Sequence, residues 1–467
     1  MSETLPAGPY RTIKGNNVMA VPLYIMPYDE QGHCQAPLTR EQLLSTIQDG
    51  TYTDILLFSH GWNNDWKGAI SSYEGFLNGY MHMYRDYGLT YPRPFWPLLI
   101  GVFWPSIALP DESGPAFAGF AVDDPPSMGT VVDPDQQAVQ LLTAMLSKND
   151  VERLKALVQR GQDLSPDEAL ELARLLAPIY NVAGDELPTR DPAPTAGELV
   201  ALWKKITLKA PKNSLTGTPG RIGFVRTPGT TLGGVGRTNQ PAATPEAAGF
   251  LDVLDPRLII RLATVLQMKD RAEVVGAHGV GSLLCDLLKT GTARVHLIGH
   301  SYGCKVVLSA LCFQKLPRLV NSLLLLQPAI SYLCFAENAT NEEEPGKPGG
   351  YREALKRVEQ PIFTTYSPHD VPLTQFFHLA VRRPSDLGDQ QIAGAPPPSR
   401  YAALGGFGPG GCEKDCTEMH MSQVGDLYDL GSGGRRICVL NGAQAIFGHG
   451  DISNDYTWWA LYNQMIN

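Results

Sequence analysis

Short apolar runs alternate along the chain with stretches in which apolar residues recur every three or four positions. The runs are of strand length and are continuous rather than alternating, as buried parallel strands are. Positions 21–26, 54–59 (DILLFS), 98–104 (LLIGVFW), 295–298 (VHLI), 322–326 (SLLLL), 362–366 (IFTTY) and 437–440 (ICVL) read as strands. Helices are expected from Thr39, read as an N-cap, and over 66–87, 273–288, 304–316, 371–381 and 456–465. Strands alternating with helices predict an α/β fold, a mostly parallel sheet flanked by helices.

The alternation stops between 105 and 270. Helical periodicity persists over 151–180, with the start signature Ser165-Pro166-Asp167-Glu168, but no strong strand is evident. Positions 214–249 and 384–434 are rich in Gly and Pro and read as loops. No repeat of 20–50 residues is present. The chain therefore divides into 1–105, the first part of a core; 106–270, an inserted cap or lid region; and 271–467, the rest of the core. Insertions in such sheets tend to lie over the strand ends, where ligands bind.

Composition narrows the function. The 467 residues are 43% hydrophobic and 18% charged, enough for a sizeable core and too apolar for a disordered chain. Lys and Arg number 38 against 47 Asp and Glu, a net charge of −9, which argues against nucleic acid as a partner. The first residues lack a basic segment followed by an apolar one, so no signal peptide is expected. No run reaches the ~18 apolar residues of a membrane span. Eight cysteines are too few for a disulfide framework in a chain this long. The expectation is a soluble, cytoplasmic protein, with signal-independent export left open.

Four segments carry candidate chemistry. Gly299-His300-Ser301-Tyr302-Gly303 follows VHLI and opens the helix CKVVLSALCF. A sharp strand-to-helix turn exposes a serine hydroxyl at the sheet edge; the flanking Gly299 and Gly303 permit the tight bend, and His300 is read as a support of it. His60-Gly61-Trp62 directly follows DILLF. Acyl transfer builds negative charge on a carbonyl oxygen, and the N–H groups of Trp62 and Tyr302 are the expected donors to it. His60 is read as a prop for that turn. A serine nucleophile also needs a base and an acid to orient it. His449, between two glycines after the last strand, is the expected base. Asp370, after IFTTY, is the expected acid. Its neighbour His369 is set aside, and Asp451 is the rival acid.

In His60, Gly61 and Trp62, in Gly299 to Gly303, and in Asp370 and His449, the chain resembles the α/β-hydrolase superfamily, specifically its esterase- and lipase-like serine hydrolases. The match covers roughly 20–105 and 271–467. The resemblance implies an eight-stranded, mostly parallel sheet and a triad of Ser301, Asp370 and His449. It also implies ester hydrolysis through an acyl-enzyme, with no cofactor and no metal. A covered pocket favours a lipid-like or bulky acyl substrate. Thioesterase, amidase and phospholipase-type toxin effector are alternatives on the same residues, and a non-catalytic scaffold is another class.

Weaker signals remain. Cys412, Cys416 and His420 are spaced for zinc on one helical turn, or the cysteines for a disulfide, or they have no role. Trp458 and Trp459 are expected in the core, as is an apolar stripe including Phe76 and Tyr80. The stretch GAHGVG, 276–281, lacks a phosphate-binding context.

Overall fold

The structure is a computed structural model describing residues 5–14, 20–62, 64–106, 142, 146–159, 164–180, 195–209, 254, 256–339, 346–377, 381, 401–430 and 434–467. Among them nine strands form one sheet. They are β1 (Arg11–Lys14), β2 (Ala20–Pro27), β3 (Asp54–Ser59), β4 (Pro97–Phe103), β5 (Arg294–His300), β6 (Ser322–Leu326), β7 (Ile362–Tyr366), β8 (Cys416–His420) and β9 (Ile437–Asn441). Their order is β1-β2-β4-β3-β5-β6-β7-β9-β8, and only β1 runs antiparallel to its neighbour. The α/β architecture is thus present, with nine strands rather than the eight expected, two of them beyond the seven legible in the sequence. Both are edge strands, β1 and β8, each with a largely solvent-facing pattern and charged residues. Neither has the buried faces that produce an apolar run.

The helices are α1 (Pro37–Gln48), α2 (Trp66–Asp86), α3 (Lys148–Gln159), α4 (Pro166–Tyr180), α5 (Ala196–Lys209), α6 (Pro256–Val274), α7 (Gly281–Thr290), α8 (Gly303–Cys312) and α9 (Asp455–Ile466). Alternate strand residues point to opposite faces. Leu57, Ile100 and Leu297 meet Leu43 of α1, Leu287 of α7 and Val306 of α8 on one face. Leu56, Phe58 and Leu324 meet Tyr73 and Phe76 of α2 and Trp459 and Leu461 of α9 on the other. Trp459 is core, as expected, and Trp458 lies against Gly79 of α2.

Local differences have local causes. Pro37, with no N–H to satisfy and a fixed φ, starts α1, so the N-cap is Ala36 rather than Thr39. The Thr39 hydroxyl instead donates to the Pro6 carbonyl at 2.9 Å. The helix expected over 273–288 is the end of a longer helical run from α6 to α7, joined by a π-helical stretch, Val275–Val280. The glycines of GAHGVG serve packing there: a side chain on Gly276 would strike the Val306 carbonyl, and one on Gly279 would meet Gly32 and Tyr28. Of the helix expected over 371–381, the described residues form a π-type turn, Pro372–Phe376, and 378–380 lie outside them. The loop expected at 214–249 lies outside the described residues, as do positions 384–400 of the one expected at 384–434; the described remainder of the latter is not all loop, since it contains β8.

The described part of 106–270 is helical. Helices α3, α4, α5 and the first half of α6 enclose a core of their own around Leu172, Trp203 and Ile260. Among the described residues no helix is long and apolar enough to cross a membrane.

The topology places a crevice. Strand β3 leads through α2 to β4 on its one side, and β5 leads through α8 to β6 on the other. These two helices cover opposite faces, so the chain leaves neighbouring strands in opposite directions. Such a switch point opens a cleft at the carboxyl ends of the strands.

The opposite ends of β3 and β5 are closed by a buried polar network. Asp54 accepts from Arg294 Nε at 2.8 Å and Nη2 at 2.7 Å, from His296 Nε2 at 3.0 Å and from the Thr53 hydroxyl at 2.6 Å. Asp54 and His296 are each only 1% exposed. Removing one partner from a buried ion pair leaves the others uncompensated, at a cost of about 3–5 kcal/mol. Asp54→Ala is therefore expected to lower the stability by about 3 kcal/mol in urea unfolding followed by circular dichroism. A loss below about 1 kcal/mol would show that water replaces the carboxylate.

Candidate active site

Ser301 stands between β5 and α8 with φ +55°, one of two non-glycine residues in the left-handed region among those described. Backbone in that region is held there only by its surroundings. Here the end of β6 and the segment after it hold it: Ser301 N–H donates to the Leu326 carbonyl at 3.1 Å, and the Ser301 carbonyl accepts from Ala329 N–H at 3.3 Å. The bend leaves no room for side chains on its flanks. One on Gly299 would lie 2.6 Å from Cys304 Cα, and one on Gly303 would strike the Ser59 carbonyl. Ser301 is 4% exposed, at the carboxyl end of β5 beside the switch point.

The turn after β3 lies against it. A Cβ on Gly61 would sit 2.7 Å from Ser301 Cβ, so only glycine fits. Asn64 Nδ2 donates to the carbonyls of Gly61 and Trp62, both at 3.2 Å, and fixes the turn. Among the described residues the Trp62 N–H has no partner. Tyr302 forms the N-cap of α8, where helix amides concentrate partial positive charge. Its ring meets Trp62 and Phe377, each at 6.5 Å, and its hydroxyl donates to the Val265 carbonyl of α6 at 3.3 Å.

His60 supports the turn from beneath. It is 2% exposed and stacks on Trp104 at 5.6 Å and 6°. Its Nδ1–H donates to the Gly61 carbonyl at 2.8 Å, which leaves Nε2 to accept from Trp104 N–H at 3.4 Å. Burial pushes its pKa down to about 4, against the opposing Gly61 bond. It lies under the site as a neutral strut.

The loops after β7 and β9 bring in the residues expected as acid and base. His449 Nε2 lies 2.8 Å from Ser301 Oγ, and its Nδ1 lies 2.8 Å from Asp370 Oδ2. A carboxylate can only accept, so Nδ1 carries the hydrogen and Nε2 receives the serine hydroxyl. Asp370 is fully buried, and its Oδ1 accepts from Leu373 N–H at 3.1 Å. The two loops are tied together by the Ser367 hydroxyl, which donates to the Ile446 carbonyl at 2.7 Å. His369 turns away to stack on Phe447, at 5.5 Å. The rival acid Asp451 accepts from Phe447 N–H and Asn454 Nδ2 within its own loop, and holds no bond to His449.

His300 has a part that its place in the motif does not reveal. Its Nε2–H donates to the His449 carbonyl at 2.9 Å, linking the bend to the base's backbone. Desolvation, then repulsion from His449, lowers its pKa to about 3, so it remains a neutral donor. Gln327 is the residue missed altogether: its Nε2 donates to Asp370 Oδ2 at 2.8 Å.

Cys412, Cys416 and His420 do not converge. The segment is a 3₁₀ turn followed by β8, not an α-helix, so His420 lies a strand's length from Cys416. The sulfurs of Cys412 and Cys416 are 3.4 Å apart as free thiols. Among the described residues no three His, Cys, Asp or Glu side chains gather to hold a metal. Comparison with protein-family models, curated proteins and solved structures yields no match for this chain.

His60 makes stability depend on pH. Its folded pKa, about 4, lies below the ordinary 6.5, so its contribution is full above pH 6.5 and is lost as pH falls toward 4. Between pH 7.5 and 4 the loss from this residue is on the order of 3 kcal/mol. His60→Gln, neutral throughout, is expected to lose correspondingly less over that interval in urea unfolding. Equal losses for the two proteins would count against a buried neutral His60.

Proposed function

We propose that the protein is a serine hydrolase of the α/β-hydrolase type that cleaves carboxylic esters. One observation carries this reading: an unbroken hydrogen-bonded chain from Ser301 through His449 to Asp370, hung from a left-handed bend at a strand's carboxyl end. Buried Ser–His–Asp contacts also occur for structural reasons. This one adds, among the described residues, an amide donor without a partner at Trp62 and a helix N-terminus at Tyr302, both beside the hydroxyl.

In this mechanism Ser301 Oγ attacks the ester carbonyl while His449 Nε2 takes its proton. The N–H groups of Trp62 and Tyr302 receive the oxyanion, a contribution of about 3–4 kcal/mol for each such donor in studied cases. Collapse of the tetrahedral species breaks the bond to the alcohol, which leaves with the proton from His449. Water then attacks the acyl-enzyme, gives its proton to His449, and the carboxylic acid departs as Ser301 regains its hydrogen. Asp370 keeps Nδ1 protonated and stabilises the imidazolium in both halves.

The rings of Trp62, Tyr302 and Phe377 favour an apolar acyl group, and segment 106–270, reached from the Tyr302 hydroxyl through α6, is proposed as a cap. Thioesters and amides would use the same groups.

A fluorophosphonate probe tests the reading without knowledge of the substrate. It is expected to label the protein at Ser301 by mass spectrometry, and Ser301→Ala is expected to abolish labelling. Folded protein that stays unlabelled would overturn the proposal. With an ester found from a chain-length panel, Asp370→Asn is expected to lower kcat by about 10⁴, as loss of the correct tautomer does elsewhere.

A further inference from the structure

We propose that Gln327 is a positioning residue whose side-chain amide fixes the carboxylate of Asp370 and thereby the ring of His449; the proposal rests on the serine-hydrolase reading. Gln327 follows the last residue of β6 and precedes Pro328. A residue before proline is normally extended. Gln327 instead has φ +44° and, with Ser301, makes up the described non-glycine residues in the left-handed region. The two are neighbours, because Ser301 N–H donates to the carbonyl of Leu326. Such conformations persist where the surroundings over-determine them, and they cluster at functional sites.

What holds Gln327 also decides how its amide faces. Its backbone N–H donates to Thr365 Oγ at 2.8 Å, and the Thr365 hydroxyl then donates to Gln327 Oε1 at 2.9 Å. Oε1 is thereby assigned, and Nε2 is left facing two acceptors. These are Asp370 Oδ2 at 2.8 Å and the Gly405 carbonyl at 3.3 Å. A flipped amide would set its oxygen against a carboxylate and a carbonyl. Gly405 permits the approach: a Cβ there would lie 2.5 Å from the Gln327 carbonyl carbon.

Asp370 Oδ2 therefore receives two donors, Gln327 Nε2 and His449 Nδ1. Both Gln327 and Asp370 are fully buried. Without the amide, the oxygen that orients His449 is held, among the described residues, by His449 alone, and the carboxylate is free to turn about its bond to Leu373 N–H. Glutamine is suited to this place because it donates a hydrogen bond and does not titrate. A carboxylic acid at 327 would donate only while protonated. Once ionised it would face a second carboxylate, and both burial and that neighbour would raise its pKa.

The test is the rate of fluorophosphonate labelling at Ser301 against pH, in the full chain. For the parent the rate is expected to rise as His449 loses its proton and then to hold a plateau. Gln327→Glu is expected to label while its carboxyl keeps the proton and to lose tenfold or more of that rate across the parent's plateau. Gln327→Asn suits the left-handed backbone but stops one methylene short of Asp370. It is expected to label about 10- to 100-fold more slowly at every pH, the loss of one hydrogen bond to a charged group. A Gln327→Glu profile of the parent's shape, whatever its height, overturns the proposal. If that variant does not fold, Gln327→Asn labelling at the parent's rate overturns it. A parent that is not labelled at Ser301 removes the hydrolase reading and this inference together, whereas a labelled parent with unaffected variants removes the inference alone.

Discussion

The site depends on one backbone constraint, the left-handed bend at Ser301. It requires that β5 end where α8 begins, that no side chain stand on Gly299 or Gly303, and that the last residue of β6 supply a carbonyl and Ala329, just after it, an N–H to pin the bend. Once that bend exists, the hydroxyl is presented beyond the strand end, beside a helix N-terminus. The turn after β3 can approach only because Gly61 carries no side chain. The strand register does the rest: β5 lies between β3 and β6, and β7 and β9 follow in the same direction. Their trailing loops therefore converge above one edge of the sheet.

The protein holds a second run of the same three residue types, and the contrast is instructive. Ser322 Oγ lies 2.8 Å from His296 Nδ1, and His296 Nε2 lies 3.0 Å from Asp54. All three are 1% exposed and sit at the amino ends of the strands. There Asp54 is shared with Arg294 and Thr53, Ser322 begins an ordinary strand, and no switch point opens the sheet. Burial lowers the pKa of His296 while Asp54 opposes it. Side-chain identity and hydrogen-bond distance do not distinguish the two networks. The bend, the neighbouring amide donor and the position at the strands' carboxyl ends do.

Around Ser301 the supporting groups are neutral and do not compete for protons. His60 and His300 have pKa values lowered to about 4 and about 3 by desolvation, and Gln327 cannot titrate. Each uses its polar atoms to fix backbone or carboxylate. On the proposed reading, such a surrounding would leave proton transfer to the pair formed by Ser301 and His449, in a region screened from water.

Much of this was written in the sequence. Continuous runs such as DILLFS and SLLLL mark strands buried on both faces, so the α/β class and seven of the strands are legible from hydrophobicity alone. The glycines of the two turns, with Ser301, Asp370 and His449 each following a strand, are legible because a tight bend restricts residue type locally. The edge strands β1 and β8 are not, since half-exposed strands carry no distinctive run. Chain order alone favours Asp370 over Asp451, and the hydrogen bonds agree: Asp370 reaches His449 while Asp451 is held within its own loop. Gln327 leaves no sequence signal at all, and His300 shows only as a support of its turn, because a glutamine or histidine becomes a clamp only through what lies opposite it. Local restriction on backbone shape is encoded residue by residue. Hydrogen bonding between residues more than forty positions apart exists only once the sheet has brought the loops together.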